Sequence, residues 1–279
     1  MSDPADPSVD SNTDPLFEVS LAEGVCRLGR PDTRFLSTGF DGGQRIADAA
    51  YNLTVPEGFD DHDLRTYVAD RIDRAGFDPV DVGSRSDSAS THPASAPALL
   101  TGVDQTHARY AQFGPVAVVA TAGISNPAAL PVANRDREAS VRSARRSPPG
   151  TDVRHHHGTV NVIAGTTRAL EPGALANLLA VVAEAKAATL LTLTGFPGTT
   201  SDAIVVGDDP AGEPATFSGS ATPVGRATRV CVRDAIVASL RSRYADEAKS
   251  LPEDVADAEY GVVTDERATV TRVDRDGFF

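Results

Sequence analysis

The nine residues from Thr194 to Asp202, TGFPGTTSD, combine two glycines, one proline, four hydroxyl groups and one carboxylate. Glycine lets backbone N–H groups approach a ligand, and clustered hydroxyls can stabilise an oxyanion or orient an amide carbonyl. Thr199, Thr200 and Ser201 are therefore candidate substrate-binding residues. A purely structural turn, whose hydroxyls bond their own backbone, is an equal alternative. The segment lacks the Gly-Lys-Ser/Thr ending of a phosphate-binding Walker loop.

The helix predicted before this loop, PGALANLLAVVAEAKAATLL, is almost entirely apolar but contains Glu184 and Lys186. An apolar helix is usually buried, and at about 100° per residue the two charged side chains point in different directions. A lysine on its apolar face needs water or a carboxylate partner, for which Asp202 is the natural candidate. Because the chain contains 24 Arg and only two Lys, Lys186 indicates a need for a compact ammonium. The alternative is that both residues mark a solvent-facing edge.

Three asparagines, Asn52, Asn126 and Asn161, lie within or beside Gly/Thr-rich segments that flank predicted strands. A side-chain amide both donates and accepts hydrogen bonds, which suits a substrate that carries amide groups. We predict substrate-binding roles for all three. The alternative for each is a turn cap.

Neither the cysteines nor the histidines form a recognisable metal motif. Cys26 and Cys231 are far apart, and Cys231 falls in a predicted amphipathic helix, where a free thiol usually acts as a small apolar side chain. The consecutive histidines 155–157 lack ligand partners at a suitable spacing. We therefore predict no metal site.

Several local patterns predict the elements that position these residues. Helices are expected over 61–75, capped by Asp60 or Asp61 and ended by Gly76, and over 173–191 and 223–243. Pro172 and Pro223 stand at first helical positions, and Thr222 supplies a capping hydroxyl. A hairpin is expected over 16–28, and β structure over 34–38. Further strands are expected at 80–83, 99–103, 107–113, 116–121, 159–164, 203–206, 216–218, 260–264 and 268–273.

Composition divides the chain into one domain with extensions. Residues 1–15 are rich in Asp and Pro and nearly free of apolar side chains, which predicts a disordered acidic lead. Residues 134–157 carry six Arg, three His and two Pro without periodicity, which predicts a mobile basic insert. The remaining segments are a single domain over 16–243 and an acidic C-terminal extension over 244–279.

The charge balance restricts the partners. The formal net charge of −13 argues against nucleic acid, since phosphate contacts need a cationic surface. The 28 Asp residues and two Lys suit either a salt-loving host, where salt screens the repulsion between carboxylates, or a GC-rich genome. We find no signal peptide and no long apolar run in the sequence, so a cytoplasmic protein that contacts no membrane is expected. The oligomeric state stays open.

Several motifs together resemble the adenosylcobinamide amidohydrolase family of archaeal corrinoid salvage. They are GTVNVIAGTTRALEPGALANLLAVVAEAKAATL over 158–190, GTTSDAIVV over 198–206 and FSGSATPVG over 217–225, with weaker agreement at STGFDGG and ATAGISNPA. The similarity reaches across about 190 residues in the family's order. The chain departs from the family where Ala183 replaces a threonine and where the loop reads Pro197-Gly198-Thr199.

The resemblance implies hydrolysis of the amide that joins aminopropanol to the corrin ring, which converts adenosylcobinamide and water to adenosylcobyric acid. The corrinoid is then the substrate, and no cofactor is expected. From the residues we hypothesise that Glu184 is the general base, that Lys186 and Asp202 polarise the amide, and that the 198–201 loop binds the oxyanion. A hydroxyl nucleophile activated by Lys186 is the alternative. A non-catalytic corrinoid-binding protein and a different small-molecule amidase are the competing functions.

For the fold we predict the α+β class, with a mixed, largely antiparallel sheet and packed helices. An α-β-β-α layered sandwich is one form that this fold could take. A doubly wound parallel sheet is the alternative. The early hairpin counts against it, because parallel strands need crossover connections of a dozen or more residues.

Overall fold

A computed structural model describes residues 14–59, 63–77, 96–131, 158–245, 250–258 and 260–272. Within these ranges it contains ten strands, three α-helices and two short 3-10 helices. The strands are β1 Glu18–Ala22, β2 Val25–Ser37, β3 Gly43–Thr54, β4 Ala98–Thr101, β5 Arg109–Phe113, β6 Val116–Ala122, β7 Ala128–Ala129, β8 Val160–Leu170, β9 Ala203–Ala215 and β10 Val262–Val263. The helices are α1 Leu64–Arg74, α2 Pro172–Thr194 and α3 Pro223–Arg243, with 3-10 turns at Gln105–His107 and Val255–Asp257.

Eight strands form one mixed sheet in the order β4-β3-β2-β9-β8-β6-β5, and β1 pairs with the first half of β2. The β3/β4 and β8/β9 pairs are parallel, and the other pairs of this sheet are antiparallel. β7 and β10 form a separate parallel pair. The predicted α+β class with a mixed, largely antiparallel sheet is confirmed.

Helices α2 and α3 cover one face of β6, β8 and β9. Successive side chains of a strand point to opposite faces, and the even-numbered residues of β6 and β8, such as Val118 and Val162, pack into the same buried cluster as Leu178 of α2 and Ile236 of α3. All seven residues of β6 are buried, as expected for a strand covered on both faces.

The opposite face of these strands packs against the other half of the same sheet. Ile163 of β8 and Val119 of β6 share a buried cluster with Leu28 of β2 and Ala50 of β3. Helix α1 covers the outer face of β2, β3 and β4, where Val68 and Ile72 contact Leu53. The sheet therefore folds over itself, and the layers follow the order of an α-β-β-α sandwich.

The predicted helices are all present, with small differences at their ends. α3 spans 223–243 as predicted, and the Thr222 hydroxyl accepts a hydrogen bond from Gly225 N. α2 runs three residues further than predicted, to Thr194, and ends at Gly195 with φ +77°. For α1 the predicted caps Asp60 and Asp61 were wrong, because Asp63 accepts from Thr66 N and caps a helix that begins at Leu64.

The strands differ more from prediction than the helices do. β3 was not predicted, because the glycines at its start and its small residues have low strand propensity. β9 is one strand of 13 residues that extends the predicted strand over 203–206 as far as Ala215, and the predicted strand over 216–218 is wrong, because these described residues form no strand. Its prolines are tolerated because β9 pairs with β2 only through residues 205–208, which leaves its later residues free on that side.

Helix α2 is long and apolar enough to cross a membrane by length and composition. This corrects the expectation that the chain has no apolar run of that length. Half of the apolar window is buried, with Leu175, Val182 and Leu190 inside the protein core. The helix therefore fits the predicted core helix of a soluble domain.

Some predictions fall outside the described residues. These are residues 1–13 of the acidic lead predicted over 1–15, the strand at 80–83 and the basic insert over 134–157 with its three histidines. In the C-terminal extension, β10 lies within the predicted strand over 260–264, while residues 268–272 are described and contain no strand.

A buried ion pair fixes the junction of β2, β8 and β9. Asp208 has no exposed side-chain area, and its two oxygens accept from Arg34 Nε at 2.9 Å, Arg34 Nη2 at 2.7 Å and Leu170 N at 2.7 Å. The Arg34 guanidinium also donates to the Leu170 carbonyl. One carboxylate thus connects three strands.

We predict that Asp208→Ala lowers the free energy of unfolding by about 3–5 kcal/mol, because it leaves a largely buried guanidinium without its charge partner. Denaturant unfolding in concentrated salt measures the loss. The control is Asp234→Ala, which removes the exposed pair with Arg233 and should change stability by less than about 1 kcal/mol. Equal effects of the two substitutions would contradict the structural role of Asp208.

Candidate active site

Lys186 and Asp202 form an ion pair at the end of the Gly-rich loop. Each side chain is about 10% exposed, and Lys186 Nζ donates to Asp202 Oδ2. Helix α2 supplies the lysine from its buried face, and the aspartate directly precedes β9. The predicted pairing of these two residues is confirmed as a contact. Their catalytic role stays a prediction.

The Asp202 carboxylate also connects the loop to the start of β8. Oδ1 accepts from Val160 N at 2.8 Å and from the Thr199 hydroxyl, and Oδ2 accepts from Thr199 N at 3.0 Å. With the lysine these are four hydrogen bonds to one carboxylate, which is about its full acceptor capacity. Asp202 therefore determines the conformation of the loop as well as the local charge.

Gly198 allows this close packing. A Cβ atom built there would lie 2.4 Å from Asp202 Oδ2 and 2.8 Å from Lys186 Nζ, which is closer than real contacts permit. The loop backbone therefore passes directly over the ion pair. Glycine was expected in this loop because it lets the backbone approach a polar group closely, and Gly198 lies where the backbone does so.

The remaining hydroxyls of the loop belong to a second polar group around Asn126. Asn126 Nδ2 donates to Thr200 Oγ1 at 2.7 Å and to Ser201 Oγ at 3.4 Å. Ser201 Oγ also lies 2.8 Å from Thr159 Oγ1. Asn126 is buried, and within the described chain its Oδ1 is buried without a hydrogen-bond partner. This group thus brings together three of the predicted substrate-binding residues and adds Thr159, while the fourth, Thr199, contacts Asp202.

A cavity of about 330 Å³ opens beside Ser201 and Asp202. Among the described residues that line it, Asp202 is the one charged side chain. The lining residues come from the loop before β3, the residue after β3, the start of α1, the end of β4 and the starts of β8 and β9. They are Thr38, Gly39, Phe40, Val55, Leu64, Leu100, Thr101, Gly102, Thr159, Ser201, Asp202 and Ala203. A concave site with one buried ion pair and several hydroxyls is suited to acyl chemistry.

Glu184 lies away from this cluster. Its side chain is 59% exposed and forms an ion pair with Arg229 of α3. The helical spacing already separated it from Lys186, and the structure supports that separation. The hypothesis that Glu184 acts as general base beside Lys186 and Asp202 therefore needs correction, because its carboxylate faces the groove between α2 and α3.

Asn52 and Asn161 are also not exposed to the cavity. Both are about 1% exposed, and Asn161 Nδ2 donates to Asn52 Oδ1 at 2.9 Å and to Leu100 O at 3.0 Å. Asn161 Oδ1 accepts from Ala203 N at 3.2 Å, and Asn52 Nδ2 donates to Thr121 Oγ1 at 2.9 Å. Their amides are occupied by the protein, so they support the site from behind rather than contact a ligand.

Three lining residues were missed as site residues, namely Thr38, Thr101 and Thr159. Thr38 belongs to the STGF segment, whose Gly/Thr content was noticed without being assigned a residue. Thr159 precedes β8 by one position, and its pairing with Ser201 depends on the β8/β9 register. Thr101 ends β4 and carries no local signal, since only the fold-over of the sheet places β4 beside β8.

The two cysteines do not contribute a nucleophile. Both are buried and free, and burial raises the pKa of each thiol to about 12. Cys26 lies in the cluster between the two sheet halves, and Cys231 lies in the cluster under α2 and α3. A thiol with such a pKa is protonated at neutral pH and reacts poorly.

We predict that Gly198→Ala lowers the free energy of unfolding by about 1–3 kcal/mol, because its Cβ forces the ion pair and the loop apart. Activity should fall with stability. The matched control is Gly173→Ala in the first turn of α2, where an added Cβ meets nothing within 4 Å. That substitution should be neutral or slightly stabilising. Denaturant unfolding of both variants measures the difference, and a neutral Gly198→Ala would contradict the close packing.

We further predict that neither thiol reacts with a disulfide reagent such as Ellman's reagent in the folded protein. At about pH 8 a pKa of about 12 leaves roughly one thiol in ten thousand ionised. The absorbance change should appear only after denaturant is added. Fast labelling of the native protein, or loss of activity in a Cys231→Ala variant of normal stability, would contradict this prediction.

Comparison with known proteins identifies relatives over most of the chain. The family model of adenosylcobinamide amidohydrolase matches residues 19–248. A protein from Halobacterium salinarum with the name adenosylcobinamide amidohydrolase is 52% identical over 258 residues, which cover 92% of this chain and 100% of that protein. Its host is a halophilic archaeon, in agreement with the acidic, Lys-poor composition.

Two solved structures resemble the fold weakly. One is the PH0078 protein from Pyrococcus horikoshii OT3, with a TM-score of 0.40, 12% identity and coverage of 80% of this chain and 78% of that one. The other is the L-aminopeptidase D-Ala-esterase/amidase from Ochrobactrum anthropi, with a TM-score of 0.32, 10% identity and coverage of 80% and 82%. At these TM-scores neither likeness carries an argument. The sequence match over residues 19–248 does, and by it the chain belongs to the adenosylcobinamide amidohydrolase family.

Proposed function

We propose that this protein hydrolyses the amide that joins aminopropanol to the corrin ring of adenosylcobinamide, giving adenosylcobyric acid for cobalamin salvage. The observation that carries the proposal is the family match over residues 19–248, combined with a cavity in which Asp202 is held by Lys186. An amide hydrolase needs a positioned proton acceptor and donors for the developing oxyanion. From the loop over 198–201, Ser201 places its hydroxyl in the wall of the cavity next to that carboxylate.

Asp202 is the proposed proton acceptor in place of Glu184. Its Oδ1 accepts hydrogen bonds from Val160 N and from the Thr199 hydroxyl. Rotation of that hydroxyl frees one acceptor position of Oδ1, which can then take a proton from an attacking water while Val160 N stays bound. Water adds to the amide carbon as Asp202 takes one of its protons, and the C–N bond breaks as that proton passes to the departing nitrogen. The carboxylic acid that forms then gives its proton to the free amine. The products are a corrinoid carboxylate and the ammonium form of aminopropanol, so atoms and charges balance.

Lys186 has a supporting role in this proposal. Its ammonium, about 10% exposed, donates to Asp202 and adds positive potential where the oxyanion develops. Ser201, which lines the cavity, is the hydroxyl that can act directly on the substrate. If Ser201 only orients the amide, Ser201→Ala retains part of the activity, whereas a covalent serine route would lose nearly all of it.

The setting of the reaction follows from composition and fold. We propose a cytoplasmic location, because α2 is a core helix of a soluble fold and the two cysteines are buried thiols without a disulfide. Adenosylcobinamide and water are the proposed partners. The net charge of −13 disfavours nucleic acid as an additional one.

We predict that Asp202→Asn lowers the turnover of adenosylcobinamide by about 100- to 1000-fold, because the amide side chain cannot accept a proton. Glu184→Gln is the control and should retain near-native turnover, since Glu184 contacts Arg229 on the helix surface. The assay incubates each protein with adenosylcobinamide in concentrated salt and quantifies released aminopropanol. Thermal unfolding checks that each variant is folded.

Two outcomes contradict the proposal. Tight binding of adenosylcobinamide by the folded native protein without release of aminopropanol would indicate a non-catalytic corrinoid-binding protein. Neither binding nor release would indicate another substrate. If Asp202→Asn stays active while Glu184→Gln does not, the assignment of the proton acceptor is wrong although the function stands.

A further inference from the structure

The backbone of the loop over 198–201 pairs with a short segment that begins at Asn126. Thr200 N donates to Asn126 O at 3.2 Å, and Ala128 N donates to the carbonyl of the first loop residue at 3.0 Å. The Asn126 side chain also donates to the hydroxyls of Thr200 and Ser201. Ser201 lines the cavity, so the orientation of its hydroxyl depends on where this segment lies.

The same segment pairs on its other side with the C-terminal extension, through the parallel strands β7 and β10. Val262 N donates to Pro127 O at 3.0 Å, and Thr264 N donates to Ala129 O at 3.0 Å. Among the described residues, β7 pairs with no strand of the large sheet. The segment is therefore the middle of three paired stretches, with the Gly-rich loop on one side and β10 on the other.

Apolar contacts anchor the C-terminal extension to the protein core. Val255 is 6% exposed and belongs to the buried cluster under α2 and α3, and Leu251 and Val263 pack against that cluster. Gly261, directly before β10, lies so close that a Cβ atom built there would be 2.6 Å from Val255 Cγ1. This packing supports the short strand pair, because two-stranded pairs alone are marginally stable in water.

We propose that β10 positions the loop over 198–201 for catalysis through β7, which makes Val262 and Thr264 positioning residues of the site. This inference rests on the proposed function. It assigns a role to a strand beyond residues 19–248, over which the family model matches. Both residues lie outside the described lining of the cavity, and they act through their backbone N–H groups.

The substitution Val262→Pro tests this role, because proline has no N–H and cannot donate to Pro127 O. The matched control is Val262→Ala, which keeps the donor and shortens a side chain that is 38% exposed. We expect Val262→Pro to lower kcat for adenosylcobinamide about tenfold with KM nearly unchanged, since a misplacement of about 1 Å can cost about 100-fold in rate. Val262→Ala should keep near-native kcat.

Hydrogen exchange separates positioning of the loop from general stability. In Val262→Pro, peptides that cover 126–131 and 196–202 should exchange faster than in the native protein, while a peptide from α2 should stay protected. Thr264→Pro removes the second donor and should give the same pattern. It serves as the second variant if Val262→Pro does not fold.

Rates are measured at a temperature at which thermal unfolding shows each variant to be folded. Native kcat in the folded proline variants, or an equal loss of kcat in Val262→Ala, would overturn the positioning role. Failure of both proline variants to fold would also overturn it, because β10 would then stabilise the whole fold rather than the loop.

The exchange measurement needs no substrate, so it distinguishes failure of this inference from failure of the proposed function. If the native protein releases no aminopropanol but Val262→Pro loosens the loop, the proposed function fails and the coupling of β10 to the loop stands. If the native protein is active and Val262→Pro changes neither exchange nor kcat, the coupling is wrong and the amidohydrolase function is unaffected.

Discussion

The Asp202 carboxylate holds together the elements that make the site. It accepts from Lys186 of α2, from Val160 at the start of β8, and from the backbone and hydroxyl of Thr199. A nearly buried carboxylate needs such partners, because burying an unpaired charge is costly. The same four bonds that satisfy the charge also bring helix, strand and loop to one point. The local structure of the site therefore depends on the side chain to which we assign the proton-accepting role.

This arrangement requires the two sheet halves to be in register. β2 runs through both halves and bends at the irregularity between Gly29 and Thr33. The Asn161–Asn52 hydrogen bond then connects β8 to β3, and Asn161 also holds Ala203, which follows Asp202 in the chain. A buried polar group of this kind is satisfied in one register. Its position behind the cavity explains why asparagines that resemble ligand-binding residues are not exposed to it.

The sequence was most informative where local physics decides the outcome. Helical periodicity, Pro at first positions and the Thr222 cap predicted α3 at both ends, and the apolar face of α2 placed Lys186 toward Asp202. Strands whose formation depends on pairing with distant parts of the chain were harder to predict. β3 was missed because its glycines and small residues have low strand propensity, and its burial depends on β2 and β4. Glu184 was selected as a candidate base because charged residues are rare in the apolar helix α2. Its actual partner, Arg229, lies 45 residues away in the sequence, in α3.

The choice of lysine at position 186 follows from the space around Gly198. A chain with 24 Arg and two Lys avoids lysine wherever arginine serves equally well. Here the loop backbone passes so close to the pair that even one methyl group at Gly198 would contact both Nζ and Oδ2. A planar guanidinium with five donors needs more room and more acceptors than this site provides. The compact ammonium pairs with Asp202 through one contact and leaves the loop in place. Because lysine is so rare in this chain, its use at position 186 indicates that arginine does not fit there.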